Sequence, residues 1–135
     1  LELKTANVED YYRHSHELGI SQIDNQNLQN KIFGIECNFE ELNGIDFKKG
    51  CYVGQENTTR IKLKEKLNNR LFAIKVLEGK INSEEIILED KEIGKLLINN
   101  QNPFALIKFQ NNKFNFDDIY KCGNAIIKIQ KPEWL

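Results

Sequence analysis

The spacing of apolar residues changes near Asn68, and the predicted elements change with it. Before that point apolar positions are sparse. Val8, Tyr11, Tyr12 and Leu18 fall near one face of a helix running from about Asn7 to Leu18. Asn7 can cap its start, with Asp10 at the third position as in a weak capping box, and Gly19 ends it. The stretch from Gly19 to Asn30 is polar and reads as loop. A second helical turn is expected from Asn38 to Asn43 with Phe39 and Leu42 inward, followed by a turn at Asn43-Gly44. A third helix is expected from Gly54 to about Leu67, with Ile61, Leu63 and Leu67 as its apolar positions, although Thr58 and Thr59 lower its propensity.

After Asn68 the pattern is that of strands. Arg70 to Leu77 is rich in β-forming residues. Glu85 to Glu89 and Glu92 to Ile98 read as a hairpin about Asp90-Lys91. Phe104 to Phe109 and Ala125 to Ile129 supply two more strands. Tyr120 starts or flanks another, with Cys122-Gly123 in the turn before Ala125. Short strands at regular spacing with no helix between them predict a small antiparallel barrel, with Trp134 against its outside. The fold class is therefore α+β: a helical and loop segment, 1–67, followed by a small antiparallel β-barrel, 68–135.

Composition narrows the function. Hydrophobic residues make up 40% and charged residues 29% of the 135 positions, enough to bury a core. A formal charge of −1 disfavours a polyanion binder with a uniformly basic surface. No apolar run approaches the roughly 20 residues of a membrane-spanning helix, and no membrane partner is expected. The sequence does not open with a charged-then-apolar leader. Three cysteines, Cys37, Cys51 and Cys122, are odd in number and widely separated, which suits a reducing compartment better than a disulfide framework. The chain opens at Leu1 and contains no methionine, which is expected of a piece of a longer protein. His14 and His16 are two apart and do not share a helical face, so they are expected to be exposed helix residues, and no metal site is expected.

The most distinctive stretch is Lys48-Lys49-Gly50-Cys51-Tyr52-Val53-Gly54-Gln55-Glu56. Two lysines before the cysteine and a helix starting near Gly54 both favour a thiolate where the geometry converges. Gly50 and Gly54 permit sharp backbone turns and close approach of a ligand. The alternative is a cysteine buried under a loop. Gln55 offers a donor and an acceptor, and Glu56 can accept two parallel N–H bonds; Glu56 equally suits the first turn of a helix on electrostatic grounds. Arg60, Lys62, Lys64, Lys66 and Arg70 follow, readable as a solvated face or as a basic strip for anions such as a glutamate tail or RNA phosphate. No row of aromatics is interleaved with them for stacking single strands. Three cysteines without a Cys-x-x-Cys pair do not read as a resident iron–sulfur site.

This stretch resembles the signature of the YgfZ family, folate-binding proteins related to the glycine-cleavage T-protein, whose mitochondrial members assist iron–sulfur cluster assembly. Tyr11-Tyr12-Arg13-His14 with Gly19-Ile20 resembles the family's helix ending in a Gly-Ile step. Glu36-Cys37-Asn38-Phe39 and Asn43-Gly44-Ile45-Asp46-Phe47 resemble the approach to the signature. Asn69-Arg70-Leu71-Phe72 resembles the first strand of the family's C-terminal barrel. Two departures stand out: Ser15 occupies the place of an arginine four residues before the Gly-Ile step, and Ser21 follows that step where the family often has proline.

The resemblance implies the C-terminal part of a T-protein-like fold, with tetrahydrofolate held between it and an N-terminal half outside this sequence. It implies Cys51 and Lys49 as the reacting pair, and Glu36, Gly50, Tyr52, Gly54, Gln55 and Glu56 around the cofactor. The implied function is a folate-dependent factor that supports iron–sulfur proteins or their assembly machinery, and through them tRNA modification, in the cytoplasm or the mitochondrial matrix. The alternatives are an aminomethyltransferase of the glycine-cleavage type, whose signature usually lacks this cysteine, and a barrel that only binds protein or RNA.

Overall fold

The computed structural model describes residues 5–51, 53–63, 68–109 and 114–135. Its core is a closed six-stranded antiparallel barrel built from β1 (Asn69–Glu78), β2 (Ile81–Leu88), β3 (Lys91–Ile98), β4 (Phe104–Lys108), β5 (Tyr120–Gly123) and β6 (Ala125–Ile129), in the order β1-β4-β3-β2-β5-β6. The interior is filled by alternate residues, as the two-residue period of a strand requires. Phe72 and Ile74 of β1, Ile86 of β2, Ile107 of β4, Tyr120 and Cys122 of β5, and Ile127 and Ile129 of β6 all belong to one buried cluster. Burying an isoleucine or phenylalanine stabilises by about 1.5–3 kcal/mol relative to exposure.

The unbroken apolar run in β1 has a second cause. Leu71 and Ala73 belong to a separate buried cluster with Ile98 and Phe104. Leu28, Ile32 and Cys37, from the segment before the barrel, pack against that cluster. The first half of β1 is thus covered on both faces, and its side chains are apolar in both directions.

Turn chemistry sets the register. Glu89 and Asp90 both lie in the left-handed region (φ 46° and 60°), so the β2–β3 hairpin turns on these two residues. That is one residue earlier than the expected Asp90-Lys91, because Lys91 pairs with Leu88. Cys122 is likewise a strand residue rather than part of a turn: it pairs with Ala125, leaving Gly123-Asn124 as the two-residue connection. Gly94 is required where β3 crosses close to β4, since a Cβ there would lie 2.5 Å from the Leu106 carbonyl oxygen. Phe109, Phe114 and Phe116 pack around Phe72.

Two helices precede the barrel, α1 (Val8–Glu17) and α2 (Gln55–Leu63), with a 3-10 turn at Asn25–Leu28. Asn7 caps α1 by accepting the Glu9 N–H at 3.3 Å, and Gly19 (φ 75°) follows its end. Trp134 ties this end to the chain terminus: its indole N–H donates to the Leu18 carbonyl at 2.8 Å, and its ring lies beside Gly19.

The inward face of α1 differs from the expected one. Val8 and Tyr11 are exposed, whereas Ser15 and His16 are buried. His16 was expected at the surface. Its Nε2–H donates to the Pro103 carbonyl at 3.0 Å, and its ring meets Phe104 edge-on at 5.1 Å. The helix therefore docks through a polar contact to a carbonyl that also accepts the Ile74 N–H at 2.9 Å, rather than through an apolar stripe. The expected helical turn over Asn38 to Asn43 is a series of turns, and its inward residue is Asn38, fully buried at φ 63°, while Phe39 is exposed. Among the expected helix positions Leu67 lies outside the described residues, as do the side chains of Ile61 and Leu63. Among the described residues no helix is long and apolar enough to cross a membrane.

Burial lowers the His16 pKa below its ordinary 6.5, against smaller opposing effects from the Pro103 carbonyl and Glu17. The unfolded chain then takes up a proton at a higher pH than the folded chain does. The stability from neutral His16 is complete above 6.5 and is lost as pH falls through the folded value. The urea midpoint of the wild type should therefore fall between about pH 7.5 and about pH 5, and His16→Gln should show a smaller fall.

Candidate functional site

The loop that leads into the 48–56 segment is held to β1 by a clamp. Leu71 lies within the β1–β4 ladder opposite Leu106, but the β6 ladder begins only at Ile74, so the backbone groups of Leu71 on that side need other partners. Its N–H donates to the Glu36 carbonyl at 2.8 Å, and its own carbonyl accepts the Asn38 side-chain amide at 2.8 Å. The Asn38 Oδ1 in turn accepts from Arg70 at 3.2 Å, and the same guanidinium pairs with Glu41 and lies over the Phe109 ring at 5.6 Å. The Glu36 carboxylate accepts from the Phe33 N–H (2.9 Å) and from the Asn69 amide (3.3 Å). Sequence reasoning passed over Asn38, Glu41 and the pairing role of Arg70. An asparagine before a phenylalanine carries no periodic signal, and the partners are 29 to 33 residues apart.

From this anchor the chain turns at Asn43 and runs to the lysines. The Asp46 carboxylate accepts the Lys48 N–H at 2.8 Å, tightening the bend before Gly50. A hollow of about 470 Å³ lined by Glu40, Asn43, Ile45, Asp46, Phe47 and Lys48 lies beside it. Cys51 is exposed, which removes the buried-cysteine alternative, and Val53 is fully exposed. Among the described residues, and apart from the adjacent ones in the chain, no atom lies within 4 Å of where a Cβ would stand on Gly50 or Gly54. Gly54 takes φ 86° and its carbonyl accepts both the backbone N–H and the hydroxyl of Thr58, so α2 starts directly after it. Gln55 and Glu56 occupy the first turn, and Glu56 pairs with Arg60 one turn on at 2.8 Å. Lys49 is exposed on the same bend as Cys51. Tyr52, Lys64 and Lys66 lie outside the described residues, as does the side chain of Lys62.

The other two thiols sit in different surroundings. Cys37 is half-buried under the β1 clamp, and burial, with a smaller effect of Glu36, pushes its pKa up to about 11. Cys122 points into the barrel core, and burial raises its pKa too. Among the described residues no three His, Cys, Asp or Glu side chains gather as a metal site.

Known proteins carry the same kind of sequence. An iron–sulfur cluster assembly factor IBA57 homolog of Dictyostelium discoideum, a mitochondrial protein by its name, is 33% identical over 88 residues, 65% of this chain and 21% of its own length. The mitochondrial iron–sulfur cluster assembly factor IBA57 of Mus musculus is 34% identical over 74 residues, 55% of this chain and 20% of its own. The tRNA-modifying protein YgfZ of Buchnera aphidicola is 41% identical over 66 residues, 45% of this chain and 20% of its own. The chain is related to the IBA57 and YgfZ proteins. The match to these IBA57 and YgfZ relatives spans about a fifth of their own length. No family model matches the chain.

The burial differences set an order of reactivity. With an alkylating probe at about pH 8 the folded protein should label at Cys51 first, with Cys37 and Cys122 slower by about 10-fold or more, and all three should label alike in denaturant. Arg70→Ala would leave the half-buried Glu41 carboxylate and Asn38 Oδ1 without their donor. It should lower unfolding stability by about 2–3 kcal/mol in urea titration, with Arg70→Lys recovering only part.

Proposed function

We propose that this chain supplies one wall of a tetrahydrofolate site in a protein that supports iron–sulfur cluster assembly or maintenance, and thereby tRNA modification, with Cys51 as its functional thiol. The observation that carries the reading is the exposed Cys51 on a bend between Gly50 and Gly54, each open to approach, in a chain related to proteins named for iron–sulfur assembly and tRNA modification. Flat heterocycles such as a pterin need backbone close to the ring, and glycines with open space where a side chain would stand permit it. Gln55 and Glu56 bring an amide and a carboxylate to the first turn of α2, suited to the paired donors of a pterin edge. Glu36 keeps acceptor capacity beyond its two local bonds, and Tyr52 and Lys49 complete the set.

In this reading residues 1–67 belong to a folate-binding, T-protein-like domain and 68–135 to its C-terminal barrel. The rest of that domain closes the site from the opposite side. Iron–sulfur proteins or their assembly machinery are the partners, and the setting is the cytoplasm or the mitochondrial matrix. Lys48 and Lys49 hold positive charge near the thiol, and the clamp on β1 fixes the bend relative to the barrel.

Two variants of the full-length protein test the reading. Gly50→Leu adds a side chain where the fold has room, and should weaken tetrahydrofolate binding by about 10-fold or more with an unchanged urea midpoint. Cys51→Ser should keep folate affinity within about 3-fold yet lower iron–sulfur enzyme activity in cells. Unaltered folate affinity in Gly50→Leu, or full enzyme activity with Cys51→Ser, would overturn it, and robust glycine-cleavage turnover would favour an aminomethyltransferase.

A further inference from the structure

We propose that the cleft between α1 and β1 accepts an extended, positively charged peptide segment of another protein, which pairs its backbone with the uncovered edge of β1 at Val76. The site is separate from the 48–56 bend and does not depend on its folate reading.

The edge follows from the register. β1 spans ten residues, but β4 pairs only with Asn69 to Ala73 and β6 only with Ile74 to Glu78. The Ile74 N–H donates to the Pro103 carbonyl at 2.9 Å on the β4 side, whereas the Ala73 carbonyl accepts the Gln130 N–H at 2.9 Å on the β6 side. Backbone groups of successive residues in a strand alternate between its two edges. Val76, two residues beyond Ile74, therefore directs its N–H and carbonyl to the β4 side, past the point where that ladder ends. The irregularity of the β1–β6 ladder falls after Val76 and leaves this alternation intact.

What lies there is a cleft of about 1000 Å³. Tyr12 and His16 of α1 form one wall, and Ile74, Val76, Pro103 and Gln130 belong to the other. The Gln130 Oε1 is buried and has no hydrogen-bond donor among the described residues. A buried acceptor left without a donor costs about 1–3 kcal/mol, so it marks a place where a donor belongs. A peptide backbone supplies what the wall lacks: an acceptor for the Val76 N–H, a donor for its carbonyl, and a further N–H for Gln130.

Charge selects among peptides. The cleft carries the carboxylates of Glu9, Glu17 and Asp24 and the cations of Arg13 and Lys75. Arg13 is neutralised by Asp10 at 2.7 Å, and among the described residues Asp24 receives the neutral amides of Asn100 and Gln26 and no cation. Glu17 lies 3.9 Å from His14 and shares an adjoining hollow with Lys128 and Lys131, so the negative charge of the cleft rests chiefly on Glu9 and Asp24, which favours a cationic strand over nucleic acid or an acidic peptide. Val8 and Val76, both exposed, offer apolar contact for alternate side chains.

The test uses the full-length protein and an acetylated, amidated peptide of about eight alternating lysines and valines. Controls are the same peptide with four consecutive central amides N-methylated, and a glutamate-for-lysine version. The lysine peptide should bind at least about 10-fold more tightly than either control, slow hydrogen exchange at the Val76 amide, and weaken by about 3-fold or more in Glu9→Gln/Glu17→Gln, whose substitutions sit on the exposed side of α1. Equal affinity for the methylated peptide would mean charge attraction alone, and it would overturn the proposal. So would absent binding, or binding that leaves Val76 exchange unchanged, as a small planar ligand or a second copy seated elsewhere would give.

Discussion

The structure depends on how one strand disposes of its edges. β1 has ten residues and two neighbours that each cover only half of it. At Leu71 the missing neighbour is replaced by the loop before the motif, through the Glu36 carbonyl and the Asn38 amide. Buried backbone groups must find partners, so this substitution is a condition for closing the barrel rather than an ornament on it. The price is paid in local conformation: Asn38 adopts φ 63°, which asparagine tolerates better than most residues. Arg70 then reinforces the same place by holding Asn38 and Glu41 together over Phe109.

The consequence reaches the bend at 48–56. Six residues, Leu42 to Phe47, separate the clamp from Lys48, with a left-handed turn at Asn43 and the Asp46 carboxylate on the Lys48 N–H, so the chain reaches the exposed thiol a short distance from its anchor on the barrel. The proposed folate site therefore uses a rigid base and an open rim. The rigidity comes from a strand edge, and the openness from two glycines whose Cβ positions are free of contacts from the described residues beyond their chain neighbours. A design of this kind keeps Cys51 accessible while Cys37, a few residues past Phe33 on the same loop, is half-buried and held largely protonated.

Much of the barrel was legible because strands obey a two-residue period and their turns have a restricted chemistry. The strand expected over Ala125 to Ile129 follows directly from that period, and the one expected over Phe104 to Phe109 is β4, Phe104–Lys108, one residue shorter. The hairpin centre was misplaced by one residue because Glu89, which has no strong turn preference, takes a left-handed conformation forced by the pairing of Leu88 with Lys91. The buried face of α1 was not legible at all. His16 is inward because its ring packs on Phe104 and its N–H joins that of Ile74 on the Pro103 carbonyl, and no periodicity encodes a partner 87 residues away. Asn38 was missed for the same reason. The 48–56 stretch was conspicuous for its composition, yet composition alone left its cysteine either buried or exposed, and only the path of the chain decided between them.

Hydrogen exchange at the Leu71 amide tests the central claim most directly. With the Glu36 carbonyl as its acceptor, this amide should exchange in the slow class with Ile74, and in Asn38→Ala it should accelerate by about 10-fold or more while Ile74 stays slow. A Leu71 amide that exchanges in the wild type as fast as an unstructured one would contradict the account, since the edge of β1 would then be open and the motif untethered.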